Sequence, residues 1–197
     1  AFLIQAIKSA GMAAPADLNG AFGAGKVEEL AAANDERDPD KLYARIAAIV
    51  TQMQEEDIDT DECAIFVRPT QEDVLLNHDK LISRDFSTAN GDFADGKIMT
   101  VKGCPIVKTA RLPTGSITGH PLSNLENGNA YDLTAEEADA TVVIMHPQSL
   151  LAGETIPMTS DVFFSKVERQ WFIDSFMAFG VSNRRPDVCG VVRKYRA

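Results

Sequence analysis

The chain lacks any apolar run approaching the ~18–20 residues that a membrane span needs. Its most hydrophobic opening, Ala1-Phe-Leu-Ile-Gln-Ala-Ile7, has no basic leader. Instead its apolar residues Phe2, Leu3, Ala6, Ile7 and Ala10 recur at helical spacing. Cysteine is scarce: Cys63, Cys104 and Cys189 are odd in number, far apart and free of Cys-x-x-Cys spacing. That pattern argues against a disulfide framework and fits three small apolar fillers in a reduced, cytosolic setting. The three histidines, His78, His120 and His146, stand alone, none at metal-ligand spacing from another His or Cys. No Gly-x-Ser-x-Gly elbow anchors an acyl-transfer triad.

What is present is a chain of 197 residues, long enough for one compact domain or two small ones, with 45% hydrophobic and 24% charged residues. Its formal charge of -10 argues against a protein that grips nucleic acid through phosphates, a task that needs a basic face. The charge is uneven. Residues 28–62 are strongly acidic, whereas Lys166 to Arg196 is basic, with Arg169, Arg184, Arg185, Arg193, Lys194 and Arg196. This asymmetry suits acidic-to-basic pairing between neighbouring copies better than contact with DNA.

Along the chain, residues 1–10 read as a helix end stopped by Gly11. Residues 13–38 are rich in Ala, Gly and Asn and read as a loop with one short helical piece at 27–33. Asp38-Pro39 starts a helix, Asp38 as cap and Pro39 in the first turn, with Leu42, Ile46, Ile49, Val50 and Met53 on one face and Arg45 and Gln52 off it. Residues 62–68 predict a strand covered on both faces, followed by a helix opened by Pro69 or Thr70. Residues 77–96 read as a loop anchored by Leu81, Ile82, Phe86 and Phe93. Residues 97–101 and 104–109 predict a hairpin turning at Lys102-Gly103. A long excursion is expected over 112–140, then strands at 140–145, 161–167 and 188–195, with a helical turn at 147–151. The aromatic cluster Trp171, Phe172, Phe176 and Phe179 reads as core packing.

Two motifs invite a functional reading and fall short. Gly20-Ala-Phe-Gly-Ala-Gly25-Lys26 resembles a phosphate-cradling loop, but Val27 replaces the magnesium-binding Ser or Thr and no buried strand precedes Gly20. Asp57-x-Asp59-x-Asp61 imitates the start of a calcium loop, yet Glu62 and Arg68 stand where Gly and a bidentate Glu are required. By contrast, Arg184-Arg185-Pro186-Asp187 sets two guanidinium forks on a rigid bend. Arg184, Arg185 and Asp187 are therefore candidate inter-subunit contacts.

Five pieces stand in a distinctive order: Phe66-Val67-Arg68-Pro69 with the helix after it, Asp85-Phe86, Val101-Lys102-Gly103 with Pro105-Ile106-Val107, Leu112-Pro113, and Arg185-Pro186-Asp187 before the last strand. Together they resemble the major capsid protein of short-tailed, T-seven-like phages, built on the Hong Kong 97 fold. Asp187 and Cys189 stand where that pattern has Glu and Ala. The resemblance implies an α+β fold: 1–37 as the end of a spine helix and a loop of a peripheral domain, 38–159 as an axial domain carrying the loop 112–140, and 160–197 returning to the peripheral domain. It also implies that the family's N-terminal arm and extended loop are absent from this chain, which is expected to be N-terminally incomplete.

The implied function is structural. Copies form hexamers and pentamers that close into an icosahedral shell, guided by a scaffolding protein, joined by a portal, and enclosing double-stranded DNA without sequence-specific binding. No enzymatic activity, cofactor, metal or membrane is expected. The protein is expected in the virion, assembled in the host cytoplasm. An encapsulin-like shell around a cargo enzyme and an α/β nucleotide-binding module using Gly20–Lys26 are the alternatives.

Overall fold

Asp38 has extended backbone, and its carboxylate accepts the amides of Asp40 and Lys41, so the longest helix, α2 (Pro39–Glu55), begins where the cap and proline dictate. The computed structural model describes residues 1–14, 16, 23–78, 81, 91–92, 97–98 and 100–196. Leu42, Ile46, Ile49, Val50 and Met53 of α2 are fully buried. Five such side chains contribute on the order of 10 kcal/mol of burial free energy. Off that face, Arg45 Nη1 and Gln52 Nε2 both reach the Glu28 carboxylate, at 2.9 and 2.8 Å.

The stripe lies on a six-stranded sheet with order β1-β10-β7-β2-β6-β5. Its strands are β1 (Lys26–Glu29), β2 (Ala64–Val67), β5 (Thr100–Val101), β6 (Cys104–Lys108), β7 (Ala140–Met145) and β10 (Cys189–Arg193). β1 runs parallel to β10 and β2 parallel to β6, while β10–β7, β2–β7 and β5–β6 are antiparallel. A separate two-stranded pair is formed by β3 (Gly91–Asp92) and β4 (Lys97–Ile98). Short helices α3 (Pro69–Leu75) and α4 (Ala135–Ala138) complete the body, together with α1 (Phe2–Ala10).

Both faces of the sheet are covered. Ile65, Val67, Val142, Ile144 and Val192 point to α2, whereas Phe66, Val143, Cys189 and Val191 pack with Ile4, Ala6 and Ile7 of α1 and with Leu112, Tyr131 and Leu133. A strand buried on two sides needs an almost unbroken apolar run, and β2 and β7 have one. All three thiols are buried. Burial pushes Cys63 up to about 12 and Cys189 up to about 11, so both stay protonated at neutral pH.

Several expectations hold locally. Lys102 (φ 48°) and Gly103 (φ 89°) both adopt left-handed backbone, as a two-residue hairpin turn between β5 and β6 requires. Asp57 is left-handed and Asp59 accepts the Asp61 amide, so the acidic run is a turn that ends α2. Two expectations of local structure are corrected. In place of the helical piece at 27–33, Lys26–Glu29 form strand β1 and 30–34 a turn, because pairing with β10 overrides the helix preference of two glutamates. The strand expected at 161–167 is part of one that starts at Leu150. Thr159 and Ser160 both belong to that strand, and β10 pairs with β7 in the six-stranded sheet. Asp85, Phe86, Ile82 and Phe93 lie outside the described residues.

Gly190 of β10 has no room for a side chain, since a Cβ there would sit 2.3 Å from Ile49 Cγ2 of α2. Gly190→Ala should lower unfolding free energy by about 1–3 kcal/mol, the usual cost of overpacking, read as a lower urea midpoint with an unchanged slope.

Candidate functional site

The residues that leave the body do so as one long ribbon. β8 (Leu150–Ser165) and β9 (Gln170–Asn183) pair antiparallel about a turn at 166–169, in which Arg169 is left-handed. With 14 residues, β9 spans about 45 Å. Irregular register between Glu154 and Thr159 surrounds Pro157, which has no amide to give a ladder. Gly153 and Gly180 face each other near the base, each with open space where a Cβ would stand.

Alternation divides the ribbon's side chains. Val162 opposes Ile173, Phe164 opposes Trp171, and Ser160 opposes Ser175 on one face. Phe163 opposes Phe172 and Asp161 opposes Asp174 on the other. The Phe163 and Phe172 rings stack at 5.5 Å, and Phe164 meets Trp171 edge-on at 5.3 Å. The aromatic side chains are nonetheless largely in water: Trp171 is 68% exposed, and Phe176, in neither ring pair, is 55% exposed. The expectation that the aromatic cluster forms core is thereby corrected. Trp171 and Phe172 pair only across the ribbon, and Phe179 lines a cleft beside the 112–134 excursion instead of a closed core.

The base of the ribbon is held firmly. Tyr131 is buried; its hydroxyl donates to the Val181 carbonyl at 2.9 Å and accepts the Val181 amide at 2.8 Å. One phenol thus takes the place of a neighbouring strand at that residue. Ser149 O accepts the amides of Arg184 and Arg185, at 2.9 and 3.2 Å. Tyr131 belongs to the 112–134 excursion, an ordered structure despite its polar sequence. Asp132 accepts the amides of Gly119 and His120 at 3.0 Å each, and the Ser123 hydroxyl with these amides holds its carboxyl down to about 2. Asn124 and Asn127 exchange side-chain oxygens and backbone amides, leaving Leu125 at the tip 92% exposed. A cleft of about 880 Å³ separates this excursion from the ribbon's base at Gly153 and Gly180.

Of the sequence candidates, Arg185 turns inward: its Nη2 lies 2.5 Å from Asp187 Oδ2, its Nε 3.3 Å from Oδ1, and Nη1 donates to Gln148 at 3.2 Å. Asp187 is buried by this fork. Arg184 is exposed, with no side-chain ion pair among the described residues. The basic end is partly matched within the chain, Arg193 to Glu136, Lys194 to Glu36 and Arg196 to Asp139. Arg68 donates to the carbonyls of Leu112 and Pro113, joining the Arg68-Pro69 and Leu112-Pro113 pieces in space.

The phosphate-loop reading loses its lysine. Gly20, Ala21 and Phe22 lie outside the described residues, but Lys26 is buried in β1 with Nζ 2.7 Å from Glu56 and 3.2 Å from Ala24 O. At Gly25 a Cβ would come within 2.3 Å of Ala10 O, so that glycine allows close packing on the end of α1. Among the described residues no group of three or more His, Cys, Asp or Glu is placed to hold a metal. Sequence reasoning missed the Tyr131 clamp and the ribbon. The clamp left no signal, but the alternating apolar residues of 171–181 could have revealed an amphipathic strand.

No protein-family model matches the chain, and neither does any curated protein. Solved structures do. The mature capsid of bacteriophage PhiM1 superposes with a TM-score of 0.87 at 30% identity, over 100% of this chain and 60% of that one. The capsid of cyanophage P-SCSP1u gives 0.81 at 17% identity, over 99% and 60%. A structure of Mycobacterium phage Che8 gives 0.61 at 18% identity, over 97% and 56%. The chain therefore spans about 60% of the length of the PhiM1 and P-SCSP1u chains. Its fold, a helix-covered sheet with a projecting ribbon, is that of a phage major capsid protein.

Proposed function

We propose that this chain is a structural subunit of an icosahedral phage shell, assembling with further copies into hexamers and pentamers that enclose double-stranded DNA. The observation that carries this reading is the superposition of the entire chain on a phage capsid protein at 30% identity. The architecture is consistent with it. Buried polar groups are spent on holding the excursion and the ribbon, and the ribbon's apolar side chains lie exposed. Such a surface belongs to a protein that works by contact. A net charge of -10 suits a shell that must not hold packaged DNA tightly.

On this reading the helix-covered sheet is the axial part, the β8–β9 ribbon is peripheral, and the virion is the protein's destination after assembly in the host cytoplasm. A scaffolding protein and a portal are its further partners. Arg184 carries the proposed contact between subunits, while Arg185 and Asp187 shape the turn behind it.

Sedimentation velocity and negative-stain microscopy, with and without co-expressed scaffolding protein, should show capsomer-sized rings or closed shells. Monomers alone under both conditions would overturn the reading. Arg184→Glu should leave the urea midpoint unchanged while weakening assembly. Arg185→Ala should instead cost about 2–3 kcal/mol of folding stability, because it strands the buried Asp187 carboxylate.

A further inference from the structure

Burial along the ribbon changes at a single rung. On β9, Val181 is 5% exposed and belongs to the core that contains Ile4 and Ile7 of α1. Gly180, the next residue toward the tip, is exposed, and so is its partner Gly153 on β8. Below this rung the ladder is fixed by Tyr131 and by Ser149 O. Above it the register is irregular from Glu154 to Thr159, then regular from the Thr159–Phe176 pair to the tip. Cross-strand side-chain pairs stiffen a two-stranded ladder, and a rung of two glycines has none. Neither glycine has positive φ, and a Cβ at either would meet nothing within 4 Å, so neither turn geometry nor close packing requires glycine there. What the two residues supply is backbone freedom.

We propose that the Gly153–Gly180 rung is a hinge, on which the outer ribbon swings against its clamped base and closes the cleft to the 112–134 excursion. The cleft of about 880 Å³ gives the motion room on that side. Pro121 and Leu122 line it on the excursion, and Phe179, one residue outside the hinge, lines it on the ribbon. Closing brings the 39%-exposed Phe179 ring onto Pro121 and Leu122, an apolar contact that holds the closed position. From Gly180 to Gln170 the arm is about 35 Å long. A bend of about 20°, the angle by which neighbouring strands of a sheet already differ, carries its tip through about 12 Å. One adjustable angle thus lets the chain present its ribbon at more than one inclination while the core around Gly190 stays packed. The hinge does not depend on the shell reading, because every group it uses lies within one chain.

Pulsed electron-spin distances between nitroxide labels on Leu125→Cys and Val167→Cys test the hinge in the intact chain. Both residues are more than nine-tenths exposed, and the three native thiols are buried and escape labelling. Labelled chain is diluted with unlabelled chain, so that only distances within one molecule are read. The expected result is a distribution as broad as the swing itself. Gly153→Val with Gly180→Val should narrow it roughly two-fold, since a β-branched pair stiffens the rung and the space for it is open. Ser160→Val with Ser175→Val, the same change at an outer rung, should leave the breadth as it is. Gly153→Ala with Gly180→Ala stands in should the valine pair prevent folding. A narrow distribution without any rung variant overturns the hinge. A broad one that the glycine variants leave unchanged places the motion elsewhere and also overturns it, as does equal narrowing by the serine variant.

Discussion

The close approach of α2 to β10 at Gly190 organises the molecule. With no side chain there, the helix settles onto the strand, and the Ile49, Val50 and Met53 side chains fill the space beside it. β10 is the shared neighbour of β1 and β7, so that contact also fixes the parallel entry of residues 26–29 and the antiparallel partner at 140–145. On the reverse of the same strand, Cys189 and Val191 meet α1 and the residues around Tyr131. One strand therefore ties the first helix, the excursion and the ends of the ribbon into one body.

That rigidity gives the ribbon a fixed base. Tyr131 grips both backbone groups of Val181, and Ser149 O takes two amides at the exit of β9. Beyond them the facing glycines 153 and 180 and the irregular stretch around Pro157 leave little to stiffen the ladder. A two-stranded ribbon of this kind is only marginally stable in water by itself. Its stacked phenylalanines contribute across the strands, while the Asp161–Asp174 pair opposes them. A firmly seated base thus carries an apolar blade that no other layer of described residues covers.

Much of the body is legible in the sequence because its signals are local. Asp38-Pro39 caps and starts α2, the 42–53 stripe has helical period, Lys102-Gly103 demands left-handed backbone, and Ala140–Met145 is an unbroken apolar run. The missed elements depend on partners far along the chain. Lys26-Val-Glu-Glu29 is too short to show a period and becomes a strand only beside β10. The start of β8 holds Gly153 and Pro157, which read as loop, and its partner strand supplies the extension. The aromatic run reads as core in the sequence because size and hydrophobicity do not say which layer meets it. Arg185 finds a carboxylate partner two residues on, at Asp187, a pairing that a sequence pattern alone does not announce.

Hydrogen–deuterium exchange of dissociated and assembled protein tests the central claim most directly: the body is stable alone, and the ribbon beyond its clamped base is not. The account predicts slow exchange in β2, β7 and β10 in both states, with the amides of residues 159–176 fast in the dissociated chain and protected after assembly. Equal, strong protection of 159–176 in both states would contradict it.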